Sequence, residues 1–346
     1  LVNKKYLNFP VSQSTERQRV ILQEPGIPAY PLQMRIANGT PDYWVFRDVS
    51  ALMGKTITLS FSQKVSGIDS IFQGDSFPGE DSIYRESRRP QVHFSPRRGW
   101  NNDPNGLVYH QGLYHLFFQH NPYERDWENM HWGHAVSTDL VHWKELGDVL
   151  APDAMGPMFS GSAVVDRKNT SGLGRDGKPP LVLAYTAAGN PAVQCLASST
   201  DGRTFTKFAG NPVVPQFTPG NRDPKILWHD ATQRWVMVLY VEEAGVHTIR
   251  FLTSPDLREW TSQSRVDGFF ECPDLFELPV DGDPWTTKWV LMGASSEYRV
   301  GSFDGKTFTP ETEKLPGHRG RGCATGPQRR RGGVHRRLHH HRRRRR

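Results

Sequence analysis

The sequence predicts an all-β protein: a β-propeller of which about four blades are visible, preceded by a small β-sandwich. Three observations predict it. The first is a recurring Ser-x-Asp-x-x-x-aromatic motif, found at Ser137–Trp143, Ser199–Phe205, Ser254–Trp260 and Ser302–Phe308. Its steps of roughly 62, 55 and 48 residues fall in the range of propeller blades with variable loops. The Asp of each copy can close a turn on its own backbone, and the aromatic can pack between blades. The second is alternation of apolar and polar residues, as in Trp235–Tyr240 and Lys288–Met292, flanked by turn residues. The third is composition: 32 Gly, 26 Pro and 11% aromatic residues describe a turn-rich, globular all-β chain.

In order along the chain, residues 1–75 read as the sandwich. Leu32–Ile36 and Ile57–Phe61 alternate, and Tyr43–Phe46 lies between turn signals at 39–42 and 54–55. No catalytic constellation occurs there. Residues 76–90 are polar and rich in Gly, Ser and Arg, and read as a linker. Residues 91–316 carry the propeller repeat. From 317 to 346 no apolar periodicity remains, and the stretch holds 12 Arg with no acidic residue. A basic arm for nucleic acid is one explanation. An out-of-frame read of a GC-rich gene explains better the abrupt change, which falls where another blade should begin. A four-blade ring left open in this way is expected to be poorly stable or inactive.

Charge supports the same division. The formal net charge is +7, yet the 31 basic residues before the tract face 36 acidic ones, so the body is about −5 and gives no hint of nucleic-acid binding. Cys195, Cys272 and Cys323 are too few and too far apart for a disulfide framework or a metal site. Cys195 reads as a small buried apolar residue. No apolar run is long enough to span a membrane. No signal peptide is visible in a chain that begins at Leu1.

Three acidic residues share one phase within the repeat. Asp103 precedes the Asp of its own blade motif by 36 residues, and Asp223 and Glu271 precede theirs by 33. Each therefore falls near the start of its blade, where the first strand lines the axial channel. Blades one, three and four would aim carboxyl groups at one pocket, with Phe159-Ser160-Gly161-Ser162 at the matching place in blade two. Two carboxyl groups across a bond are the minimum equipment for glycoside cleavage. Asp103 has amide donors beside it in Asn101, Asn102 and the Pro104-Asn105-Gly106 turn, which favours an ionised nucleophile. Glu271, between Phe269-Phe270 and Cys272-Pro273, has apolar neighbours and few donors, which favours a protonated general acid. Asp223 directly follows Arg222, a cation that would keep it ionised.

The runs Trp100-Asn101-Asn102-Asp103-Pro104-Asn105-Gly106, Asn221-Arg222-Asp223-Pro224 and Phe269-Phe270-Glu271-Cys272-Pro273-Asp274 together resemble glycoside hydrolase family 32, the invertase, levanase and inulinase family. Gln119-His120-Asn121-Pro122, Trp127, Asn129–His134 and Phe159–Ser162 match its pattern in order, so the resemblance covers about 93–316. It implies a five-bladed propeller, and a last blade and C-terminal β-sandwich that this chain lacks. The sandwich at 1–75 resembles the accessory domain of some bacterial fructanases. The resemblance implies a retaining β-fructofuranosidase with Asp103 as nucleophile, Glu271 as general acid/base and Asp223 as transition-state stabiliser. Asn102, Gln119, Trp127, Phe159, Ser160 and Arg222 would line the fructose subsite. His131 and His134 are not expected to bind metal, and no cofactor is implied. Fructan or sucrose is the implied partner, and a secreted or periplasmic location is implied. Three alternatives stay open: an inverting arabinan- or xylan-cleaving propeller enzyme, a fructosyltransferase and an inactive fructan-binding fragment. Sucrose, inulin and levan, endo and exo action, and oligomeric state are not distinguished.

Overall fold

The computed structural model describes residues 1–317 apart from 25, 27, 28 and 65. The Arg/His tract beyond Gly317, with Cys323, lies outside the described residues. Strands β1 (Tyr6–Val11), β2 (Gln18–Gln23), β3 (Pro31–Met34), β4 (Tyr43–Asp48), β5 (Thr58–Phe61) and β6 (Phe72–Gly74) build two three-stranded sheets, ordered β4-β1-β6 and β3-β2-β5. Leu7, Phe9 and Val11 of one sheet meet Val20, Leu22, Leu32 and Met34 of the other in a shared core. Strand β1 is buried at all six positions. Its run Tyr-Leu-Asn-Phe-Pro-Val shows no clean alternation because both of its faces are covered. Tyr6 and Phe46 close its second face with Phe77, which stacks on Phe46 at 3.8 Å between ring centroids. The segment 76–90 is thus tied down at Phe77, and again where Arg89 donates to the carbonyl of Pro96.

The four blades are four-stranded antiparallel meanders. Blade one is β7 (Trp100–His110), β8 (Leu113–Asn121), β9 (His131–Ser137) and β10 (Trp143–Leu150). Blade two is β11 (Met158–Val165), β12 (Leu181–Ala187), β13 (Val193–Ser199) and β14 (Thr206–Lys207). Blade three is β15 (Arg222–His229), β16 (Arg234–Glu243), β17 (Val246–Ser254) and β18 (Thr261–Asp267). Blade four is β19 (Asp274–Val280), β20 (Asp283–Met292), β21 (Glu297–Phe303) and β22 (Phe308–Pro310), with β23 (Leu315–Pro316) added beside β21.

The repeated motif does what its residues allow. Ser137 Oγ accepts the amides of Asp139 and Leu140, and Asp139 Oδ1 accepts those of Val141 and His142. Asp201, Asp256 and Asp304 close the same turn in the other blades. The aromatic that ends the motif packs onto the preceding blade: Phe205 meets Phe117 of blade one edge-on, Trp260 joins the core between blades two and three, and Phe308 that between three and four. The first strand of blade two, β11, touches both β7 and β15 around the axis. A Cβ on Gly106 would come within 2.7 Å of Ala163 Cβ, so that approach of β7 to β11 requires glycine.

Candidate active site

Three of the four inner strands break their ladders where a site residue stands. Strand β7 bulges between Asn101 and Gly106, β11 between Phe159 and Gly161, and β15 between Arg222 and Lys225. A bulge re-aims a side chain, and these aim Asp103, Ser160 and Asp223 into a cavity of about 240 Å³ on the axis, which they line with Cys272. Asp223, Glu271 and Cys272 hold left-handed backbone, with φ of 64°, 48° and 40°. Such conformations are uncommon outside glycine and cluster at functional sites. Ala294 N–H donates to the carbonyls of Phe270 and Glu271 at 2.9 and 3.0 Å and fixes the turn that carries Glu271.

The three carboxyl groups are buried, 3% exposed at Asp103, 5% at Asp223 and 6% at Glu271. Ser160 Oγ donates to Asp103 Oδ2 at 2.7 Å. The Cys272 amide donates to Asp223 Oδ2 at 3.0 Å, and its thiol lies 3.5 Å from that oxygen and 3.8 Å from Asp103 Oδ2. Cys272 thus sits between the two aspartates, a role its sequence context did not signal. The thiol is itself pushed well up by burial and by the carboxyl groups around it.

Three electrostatic expectations are corrected. Asp103 does not owe a low pKa to its neighbouring amides: burial raises it, against the opposing contacts of Ser160, Asn102 and Cys272. Asp223 is pushed up to about 7, by burial first, with Asp103 and Glu271 adding to the rise and Arg222 and the Cys272 amide opposing it. Glu271 is not donor-poor, because the Arg222 guanidinium grips its Oε1 through Nε and Nη2. The nearest approach of Arg222 to Asp223 is 3.9 Å. Arg222 does lower Asp223, but its guanidinium spends its hydrogen bonds on Glu271 and the burial of Asp223 outweighs the pair. Phe269 is fully buried in the core between blades three and four, so only Phe270 stays beside the site. Arg222 lies over the rings of Tyr240 and Phe270, at 4.6 and 5.8 Å, and Tyr240 Oη pairs with His247 Nδ1 at 2.7 Å. Tyr240 and His247 had no sequence signal beyond strand alternation.

The remaining subsite candidates divide. Asn102 Nδ2 and Trp127 Nε1 are buried polar atoms without a hydrogen-bond partner. Asn102 lies near enough to Asp103 to favour its charge, but without a bond of normal geometry. Trp127 packs edge-on to Phe159 with ring centroids 5.7 Å apart. Neither Asn102 nor Trp127 lines the axial cavity, but buried unpaired donors are what a hydroxyl-rich ligand would satisfy. Gln119 is 1% exposed and donates to the Met158 carbonyl at 2.8 Å, so it shapes the site from behind. His131 and His134 lie in blade one away from the acids: His131 Nδ1 bonds the Asn129 carbonyl, and His134 Nε2 pairs with His115 Nδ1 at 2.9 Å while its ring stacks on Phe117.

A propeller that gathers three carboxyl groups and a guanidinium at one end of its axis has the form of a glycoside hydrolase. The chain belongs to glycoside hydrolase family 32: the profile of the Glycosyl hydrolases family 32 N-terminal domain matches residues 93–323. It is 48% identical over 254 residues to a levanase of Bacillus subtilis (strain 168), covering 67% of this chain and 37% of that protein. It is 42% identical over 283 residues to an extracellular exo-inulinase of Aspergillus niger, covering 68% and 52%. Among solved structures it resembles the exo-inulinase of Aspergillus awamori with a TM-score of 0.61 at 40% identity, covering 68% of this chain and 54% of that one. A β-fructofuranosidase of Schwanniomyces occidentalis complexed with fructosyl-erythritol gives 0.60 at 36% identity, covering 66% and 49%. The chain thus spans 37% to 54% of the length of these relatives. The fold class expected from the sequence, an all-β chain of the five-bladed propeller type with about four blades present behind a small β-sandwich, is the one found. Among the described residues no helix is long and apolar enough to cross a membrane.

Proposed function

We propose that the axial site cleaves terminal β-fructofuranosyl linkages of fructan or sucrose by double displacement. The observation that carries the reading is the convergence of Asp103, Asp223 and Glu271, from three different blades, on Cys272 and Arg222. Asp103 is the nucleophile: Ser160 holds its Oδ2, which leaves Oδ1 for the anomeric carbon. Glu271 is the general acid and then the base that activates water. Substrate hydroxyls that compete for Arg222 would release Glu271 Oε1 towards the leaving oxygen. Asp223, pushed up to about 7, can hold a proton near neutrality and so donate to a fructose hydroxyl as well as accept from one. Asn102 and Trp127 supply free donors to the same ring. Extracellular relatives support a secreted location.

Fructose release from sucrose, inulin and levan by the purified chain and its Asp103→Asn variant tests this. Loss of a nucleophile lowers turnover by about 10⁴-fold or more. Equal release by both proteins would remove Asp103 from the mechanism. Product released with the opposite anomeric configuration, read by NMR at early times, would exclude retention.

A further inference from the structure

A second cleft, of about 500 Å³, lies between the sandwich and the propeller. Leu22 and Leu32 of the sandwich and Met155 of the propeller give it an apolar floor. Its polar groups are charge-balanced: Glu24 pairs with Arg47, and Asp153 Oδ2 takes Lys207 Nζ at 2.6 Å. Tyr30 presents a half-buried ring, and its hydroxyl has no hydrogen-bond partner among the described residues. His131, bonded through Nδ1 to the Asn129 carbonyl, lines the cleft and is kept neutral by burial, which lowers it to about 4.

The place of this cleft in the fold matters as much as its lining. Residues 151–157 join the last strand of blade one to the first strand of blade two. Ala151–Met155 face the cleft, while Ser160 and Gly161, a few residues on, line the axial cavity. The acids stand at the starts of inner strands, so this connection is on their end of the propeller. The sandwich is clamped at the same end. Asn129 pairs with both backbone groups of Gln33, at 2.7 and 2.8 Å, and buried Glu124 takes Arg17 and Arg35, each at 2.7 Å. The loop 122–130 that makes these contacts also carries Trp127.

We propose that this cleft is a second carbohydrate site, which binds an internal stretch of a fructan chain whose end lies in the axial pocket. The proposal rests on the fructan reading above. A cleft of this volume at a domain junction, apolar with a few placed polar groups, is a ligand site by form. Paired charges of zero net sign favour a neutral ligand over an anion or cation. Carboxylates already held by Arg47 and Lys207 keep lone pairs for hydroxyls, and the Tyr30 ring offers a face to the apolar side of a sugar.

The test is migration of the whole chain through native gels containing levan, inulin or, as a control, dextran, with excess fructose present to fill the axial pocket. Retardation by levan or inulin and not by dextran is expected, weakened roughly tenfold in apparent affinity by Tyr30→Ala, an aromatic contact's worth. Asp153→Asn should weaken it too, and it decides the matter if Tyr30→Ala does not fold. Fructose release from sucrose, which occupies only the axial pocket, should be unchanged in both variants, while KM for the polymer rises. No retardation of the parent, equal retardation by dextran, or retardation indifferent to both variants overturns the second site. Absence of sucrose cleavage by the parent would instead overturn the axial reading, and the gels would still decide the cleft.

Discussion

Blades three and four have the same four-strand plan, yet they are held very differently. The second strand of blade three, β16, is buried from Trp235 to Val241. Trp235, Met237, Leu239 and Val241 face blade two, and Val236, Val238 and Tyr240 face blade four. The corresponding strand of blade four, β20, buries Leu291 and half-buries Trp289 against blade three, while Trp285 is 92% exposed. Leu278 and Val280 of β19 are exposed as well. A blade's strand pattern is therefore only half of its stability, and the other half is a neighbour on each face. Among the described residues, Glu271 belongs to the blade with one covered face, and it is held in place by Arg222 of the blade with two.

The largest effect should come from the cores themselves. Leu239→Ala in blade three should cost about 2–5 kcal/mol, as a fully buried leucine does. Leu278→Ala in blade four, 49% exposed, should stay within about 0.5 kcal/mol. Urea midpoints of the two variants check this. Equal losses would mean that blade four has a covered outer face in solution.

The two ion pairs that join these blades sharpen the comparison. Arg222–Glu271 is nearly enclosed, with side-chain exposures of 18% and 7%, whereas Lys225–Asp274, 2.9 Å apart, is 33% and 40% exposed. Arg222→Ala strands a buried carboxylate and should destabilise by roughly 3 kcal/mol. Lys225→Ala should cost less than about 1 kcal/mol. A Lys225 variant as damaging as the Arg222 one would show that the axial channel is drier than its exposures indicate.

How much of this could be read in the sequence depends on whether the cause is local. The Ser-x-Asp turns could be read because each is closed within six residues, and the acids because their phase in the repeat fixes a place on the inner strand. The sandwich strands Leu32–Ile36 and Ile57–Phe61 showed through alternation, since one of their faces is open. Strand β1 did not, since neither of its faces is. Asp103 and Asp223 depart from what their sequence neighbours imply for a related reason. Donors next to Asp103 and a cation next to Asp223 are visible in sequence, but burial is not, and neither is the hydrogen bonding of Arg222 to Glu271 of the next blade. Cys272 acts across blades, and Tyr240 and His247 meet across neighbouring strands of blade three, where the sequence carries no signal beyond alternation.

Blade three also bears a destabilising group. Asp223 is pushed up to about 7 in the fold, above the 3.9 or so of an unfolded aspartate. Between about pH 4 and 7 the folded chain binds a proton that the unfolded chain has released. Stability therefore falls as pH rises through that window, and above it the whole penalty is present. Asn at this position cannot ionise, still offers an oxygen to the Cys272 amide, and tolerates the left-handed φ of 64° at least as well. Asp223→Asn should thus melt higher than the parent at pH 8 and match it at pH 4, while fructose release falls. A gain of the same size at both pH values would trace the effect to backbone conformation. Loss at pH 8 would mean that the aspartate is ionised and well solvated there, and that the well-covered blade bears no electrostatic cost for its acid.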